Sequence, residues 1–295
     1  MPTATNPVGR LLLERAITLA AQRAAAPGNL RFTERQLYYE TCRVLRPTPA
    51  PVRRIPYSPA PPLRLSRFTE VLRGAGWAAE LPGLLPAPVP GVPTIGGPAR
   101  EPDLYDYALP RLLICQNRAI ARMLLANHVH LEAACPVLSA EDDLPLDSRL
   151  VAGLERAGGA TVHVLHDASP AGIALPGRVR EGLGSVSGRV REELGSTPVR
   201  VVSLGLVPRH AQTLRLVAGR RPRPLPPLGP LPPGLRPAEV DWLAAGRFAE
   251  VAAVPPAKLL RAVLRLTRGP RPTRHSVWGE LRGLRTAGFM TWPDA

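Results

Sequence analysis

The chain has 295 residues and a mass of 31.7 kDa, enough to bury a sizeable core in one large or two modest domains. Hydrophobic residues make up 45% and the mean hydropathy is −0.02, which excludes a wholly disordered chain. No apolar run approaches the ~18 residues of a membrane span, and residues 1–30 lack the charged start and small-residue cleavage site of a signal peptide. The three cysteines, Cys42, Cys115 and Cys135, stand in no CxxC spacing and make neither a zinc site nor a disulfide framework. A reduced, cytoplasmic protein with no membrane partner is the expectation.

Lys and Arg number 38 against 23 Asp and Glu, a net charge of +15 and a pI near 11.2. Lys258 is the single lysine. The abundance of Arg, with 37 Pro and 26 Gly, fits the bias of a GC-rich genome, but that bias does not explain the excess of positive over negative charge. Residues 1–103 carry 13 basic and 7 acidic side chains, 104–218 carry 12 and 11, and 219–295 carry 13 and 5. Two basic ends flank a neutral middle. That balance points to a polyanion partner, with plain solubility charge as the alternative.

Proline-rich stretches from Arg46, Leu81 and Arg221 cannot continue a helix or a central strand and read as loops or linkers. They divide the chain into 1–103, a helical unit with Pro-rich linkers, 104–220, an α/β unit, and 221–295, a linker and basic helical region. In the first, VGRLLLERAITLAAQRAA reads as an amphipathic helix closed by Pro27-Gly28. FTERQLYYETCRVLR starts a second helix, with Thr33 and Gln36 at capping-box spacing. A third helix is expected over SRFTEVLRGAG with Ser66 as N-cap, then a short strand within WAAELPGLL. Three helices and a strand are compatible with a winged-helix module and with many small bundles.

The middle unit alternates apolar β-branched runs with helical periods. Strands are expected at 111–116, 135–140, 161–166 and 199–207, and helices over NRAIARMLLAN, DSRLVAGLERAG and GRVREGLGSVSGRVREELG. This pattern predicts a parallel sheet covered on both faces, with functional groups at the carboxyl ends of its strands. In the last unit, PAEVDWLAAG and PPAKLLRAVLRLTRG read as helices. The latter has Leu259, Leu260, Val263 and Leu264 as its apolar face and Arg261, Arg265 and Arg268 as a basic stripe.

The run HDASPAG at 166–172 places an acid after a buried strand and a glycine at the opening of a helix. It resembles the DxDxxG signature of the Toprim fold, with Asp167 at the first acid and Gly172 at the glycine, while Ser169 takes the place of the second acid. The Toprim glutamate after the first strand falls on Gln116. FTERQLYYE resembles the TxRxxYY segment of the topoisomerase VI A-subunit and meiotic double-strand-break transesterase family, and of bacterial relatives pairing a winged helix with a Toprim domain. RLSRFTEVLRGAGWAAELPGLL, VVSLGLVPRHAQTLRL and AEVAAVPPAKLLRAV resemble later segments in the same order. In the last of these Glu250 matches a family glutamate and Ala252 replaces the acid two residues on.

The resemblance implies a winged-helix-like domain, a Toprim-like parallel-sheet domain and a helical C-terminal extension. It also implies duplex DNA as partner, a second copy of the chain or an ATPase subunit beside it, and Mg²⁺ as cofactor. Asp167 would hold that metal, weakly, because Gln116 and Ser169 supply no charge. The acidic run Glu141, Asp142 and Asp143 either compensates or is a solvated loop that begins a helix. In topoisomerase-like members the second tyrosine of the pair attacks a phosphodiester, and that position is Tyr39.

Helix periodicity puts Leu37, Tyr38, Thr41, Val44 and Leu45 on one face, with Tyr39 opposite, beside Arg35, Arg43 and Arg46. Tyr39 is then either a nucleophile activated by guanidinium groups or an exposed residue that at most touches DNA. The leading reading is a DNA-binding protein with a degenerate metal site, its backbone contacts coming from Arg35, Arg43, Arg46, Arg64 and Arg67. A Mg²⁺-dependent DNA-cleaving transesterase or nuclease with Tyr39 as nucleophile is the second. A non-catalytic scaffold subunit of a multi-protein complex is the third.

Overall fold

A computed structural model describes residues 7–47, 56–74, 76, 81–87, 108–187, 199–222, 229 and 231–268. At its centre is a four-stranded, all-parallel sheet in the order β2-β1-β3-β4, built from β1 (Arg111–Cys115), β2 (Val137–Ser139), β3 (Thr161–Leu165) and β4 (Arg200–Ser203). All four fall within the apolar runs expected from the sequence. The two central strands have alternate residues committed to different cores. Leu112 and Ile114 of β1 face α7 (Ser148–Arg156) and α8 (Pro170–Ser187), through Val151, Leu154, Leu175 and Val179. Leu113 and Cys115 face the other side, with α4 (Arg118–Ala126) and α5 (Val129–Ala133). Burial on both faces explains why these strands read as unbroken apolar runs.

The second core extends well beyond the sheet. It includes Leu13 and Ile17 of α1 (Pro7–Ala25), Leu37 and Tyr38 of α2 (Glu34–Leu45), Phe68 and Val71 of α3 (Leu65–Gly74), and Leu259 and Val263 of α11 (Pro256–Arg268). Thr33 and Gln36 make the expected capping box: the Thr33 hydroxyl accepts from the Gln36 amide at 3.1 Å, and Gln36 Oε1 accepts from the Thr33 amide at 3.0 Å. In α3 the helix already includes Leu65, so Ser66 lies inside it rather than capping it. Of the strand expected after α3, residues 77–80 lie outside the described residues, and Leu84 makes an isolated parallel bridge with Phe32. The helix α8 starts earlier than expected and runs through Pro176, while 188–198 lie outside the described residues.

Three short helices complete the chain: α6 (Ala140–Asp143) after β2, α9 (Pro208–Thr213) after β4, and α10 (Pro237–Ala244). The antiparallel pair β5 (Gly219–Arg220) and β6 (Arg247–Phe248) leads into a 3₁₀ turn at Val251–Ala253. Ala249, just after β6, pairs with Ala168, just after β3, through Ala168 N–H to Ala249 C=O at 2.9 Å and the reverse at 3.1 Å. This bridge carries Glu250 and Val251 to the carboxyl end of the sheet. Among the described residues no helix is long and apolar enough to cross a membrane. Residues 269–295 of the C-terminal basic region lie outside the described residues.

Candidate functional site

In the strand order β2-β1-β3-β4 the chain leaves β1 toward one edge of the sheet and resumes at β3 on the other side. The crevice at such a switch point, beyond the carboxyl ends of the two strands, is where open α/β sheets place ligands. Gln116 follows β1 and Asp167 follows β3, one residue past His166. The fold therefore brings Gln116, Asp167, Ser169 and Gly172 together at this edge.

Their side chains are engaged with the backbone. Gln116 Oε1 accepts from the Asp167 amide at 2.9 Å, Asp167 Oδ1 from the Val251 amide at 2.6 Å, and Ser169 Oγ from the Gly172 amide at 3.1 Å. The last bond caps the first turn of α8. Gly172 has no room for a side chain: a Cβ would stand 2.4 Å from the Asp167 carbonyl oxygen and 2.5 Å from Gln116 Oε1. Burial, with the Glu250 charge helping, pushes the Asp167 carboxyl up to about 7, against a hydrogen bond from Val251 and the charge of Arg35.

The N-terminal unit closes over this edge. Arg35 donates twice to Glu250, with Nε to Oε2 at 2.6 Å, and its guanidinium carbon lies 5.7 and 5.6 Å from the ring centres of Tyr38 and Tyr39. Both tyrosines are buried, 4% and 2% exposed, and meet edge to face. Tyr38 is a core residue as expected, its hydroxyl donating to the Leu63 carbonyl at 2.8 Å. The expectation that Tyr39 faces away from the core is corrected. Periodicity assumes one apolar partner face, whereas α2 is packed between α1 and the 251–253 turn, and Gln36 through Cys42 are buried without interruption. Burial and the neighbouring Glu250 carboxylate hold the Tyr39 phenol well above its ordinary pKa, with Arg35 acting weakly the other way. That environment favours the neutral phenol over phenolate.

The expected DNA-contacting arginines divide into two groups. Arg35 is spent on Glu250, and Arg43 donates to Glu40 and to the Ala253 carbonyl at 2.7 Å, so both hold α2 in place. Arg46 and Arg64 are exposed, and Arg67 pairs with the exposed Glu70. The acidic run is also committed internally. Asp142 pairs with Arg118, Glu141 accepts from the Arg118 amide at 3.3 Å, and Asp143 accepts from the Ser139 amide at 2.7 Å. Of the basic stripe on α11, Arg261 Nε donates to the Ala257 carbonyl and Arg268 to the Glu132 carbonyl. The three cysteines are free and buried. Among the described residues no group of three or more His, Cys, Asp or Glu side chains could hold a metal ion.

Two polar groups at this edge carried little signal in the sequence. His166 is buried, with Nδ1 3.0 Å from the Asp167 carbonyl oxygen and Nε2 2.8 Å from Ser203 Oγ at the end of β4. Glu250 was visible only through its resemblance to a family glutamate. Compared with protein-family models, with curated proteins and with solved structures, the chain finds no match.

Proposed function

We propose that this protein binds duplex nucleic acid, as a winged-helix plus Toprim-type protein related to the topoisomerase VI A subunit, and leaves the strand intact. One observation carries the reading: Gln116 Oε1, Ser169 Oγ and one carboxylate oxygen of Asp167 each accept from a backbone amide of the same chain at the switch point. Asp167 is the one carboxylate of the motif, and Glu250, whose charge acts on it, is held by Arg35. Such a donor set supports weak divalent-ion binding at most. The closed edge then acts as structural support for the two basic ends of the chain.

The net charge of +15 supports a polyanion partner, and exposed Arg46 and Arg64 supply backbone contacts from the N-terminal unit. Fluorescence anisotropy with a duplex over a salt series tests this. Binding should be sequence-independent and weaken steeply with salt, and Arg46→Ala with Arg64→Ala should lower the log–log slope by about 0.9 for each phosphate no longer neutralised. No affinity at low salt would refute the reading. Supercoiled plasmid incubated with Mg²⁺ or Mn²⁺ should stay intact.

A second reading, a Mg²⁺-dependent transesterase, is favoured by the gathering of Tyr39, Glu250 and Asp167 in one place. It ranks lower because the phenol is buried and held neutral. Tyr39-dependent nicking would promote it.

A further inference from the structure

On the far side of the same sheet edge, a cleft of about 880 Å³ opens between α8, the end of β4 and the Gly229 and 231–235 segment. His166 and Ser203 both line it. Ser203 is exposed, whereas the imidazole it meets is buried. The bond at Nδ1 fixes the tautomer of the neutral ring. A carbonyl oxygen can only accept, so Nδ1 carries the proton and the Nε2 lone pair faces the Ser203 hydroxyl at 2.8 Å. The ring is also held in place from its face: a Cβ on Gly205 would stand 2.3 Å from imidazole atoms, so Gly205 packs flat against it. The Leu206 amide donates to the His166 carbonyl at 2.8 Å and the Leu204 amide to the Val164 carbonyl at 2.9 Å, which fix the backbone on both sides of Gly205.

A hydroxyl at a cleft, a base within hydrogen-bond reach and a third group orienting that base are the recurring parts of an activated nucleophile. We propose that Ser203 and His166 are a nucleophile–base pair for acyl transfer, acting on carboxylic esters that carry an anionic group. The cleft walls offer apolar surface from Ile173, Pro176 and Leu235 to an acyl chain. Arg178 and Arg180 also line the cleft, are exposed, and enter no ion pair among the described residues, with Glu181 the one acid beside them.

In the reaction, Ser203 Oγ forms a bond to the ester carbonyl carbon as His166 Nε2 takes the hydroxyl proton. The ester C–O bond breaks and the proton passes to the departing alcohol. Water then attacks the acyl-serine carbonyl carbon as His166 Nε2 takes its proton, the bond to Ser203 Oγ breaks, and His166 returns the proton to that oxygen as the carboxylic acid leaves. Ala171, in the first turn of α8, lines the cleft, and its amide, which has no acceptor within the helix, is a donor of the kind that steadies a carbonyl oxygen.

The full-length chain treated with an alkyl fluorophosphonate provides the test, because that probe forms a P–O bond to an activated serine and expels fluoride. Peptide mass mapping should find the adduct at Ser203 and none at exposed Ser66. Ser203→Ala, an exposed and conservative change, should abolish the adduct. Ser203→Cys should regain reactivity, toward iodoacetamide, ahead of the buried cysteines. His166→Gln and Gly205→Ala, checked as folded by circular dichroism, should slow labelling about 100-fold, the scale of a general base. The p-nitrophenyl ester of succinate should turn over faster than that of acetate, and Arg178→Ala with Arg180→Ala should erase the preference. Labelling of Ser203 no faster than Ser66, or undiminished in folded His166→Gln, would overturn the proposal. None of these readouts involves nucleic acid, so they stand apart from the binding test above.

Discussion

Asp167→Asn separates a structural carboxyl from a metal ligand. The asparagine keeps an oxygen to accept from the Val251 amide and removes only the charge. In the folded protein the Asp167 carboxyl is raised to about 7 from 3.8, chiefly by burial. The folded state therefore binds a proton that the unfolded chain has already released over this window. The stability contribution is fully present below about pH 4, falls as pH rises toward 7, and is level above that. At ~1.4 kcal/mol per unit, the ionised group costs the fold up to about 4 kcal/mol at alkaline pH, and its partial solvent contact brings the expectation nearer ~2 kcal/mol.

Asp167→Asn should thus match the wild type near pH 4 and exceed it by about 2 kcal/mol at pH 8.5. For a chain of 295 residues that is a rise in Tm of about 3 °C. Thermal unfolding of both proteins across pH 4–8.5 reads the difference, and titrating groups that do not interact with Asp167 cancel in the subtraction. Parallel profiles, or a variant less stable at pH 8.5, would refute the reasoning and show that the carboxylate charge is wanted, by Arg35 or by an ion.

Gly172→Ala should destabilise by at least about 2 kcal/mol, because its Cβ meets the Asp167 carbonyl and Gln116 Oε1 below 3 Å. Gly177→Ala, in the same helix with open space around it, should be neutral or stabilising by up to ~1 kcal/mol, and equal denaturant midpoints for the two variants would sink the argument. Tyr39→Ala should cost roughly 3–5 kcal/mol in equilibrium unfolding, as aromatic truncation does in a core, and a loss under 1 kcal/mol would return Tyr39 to the surface.

Local pattern determined a good deal here. The alternation of apolar runs with helical periods located all four strands of the parallel sheet, since strands buried on both faces must be apolar throughout. Thr33 and Gln36 marked the start of α2 because a capping box is a contact over three residues. Asp167 and Gly172 were visible for a similar reason: a strand end, a tight turn and a helix start are contiguous in the chain.

The surroundings of those residues were settled by contacts between distant segments. The helix carrying Tyr39 packs on a 3₁₀ turn more than 200 residues away, and a single-helix phase has no means of anticipating a second packing partner. Arg35 and Arg43 looked like a free basic face until Glu250 and the Ala253 carbonyl arrived beside them, carried there by the Ala168–Ala249 bridge. Ser203 and His166 end neighbouring parallel strands, and only the strand order brings that hydroxyl to that imidazole. Hydrophobic period records whether a residue is buried. The identity of what it is buried against comes from the topology, which is why the elements could be read along the chain and the site could not.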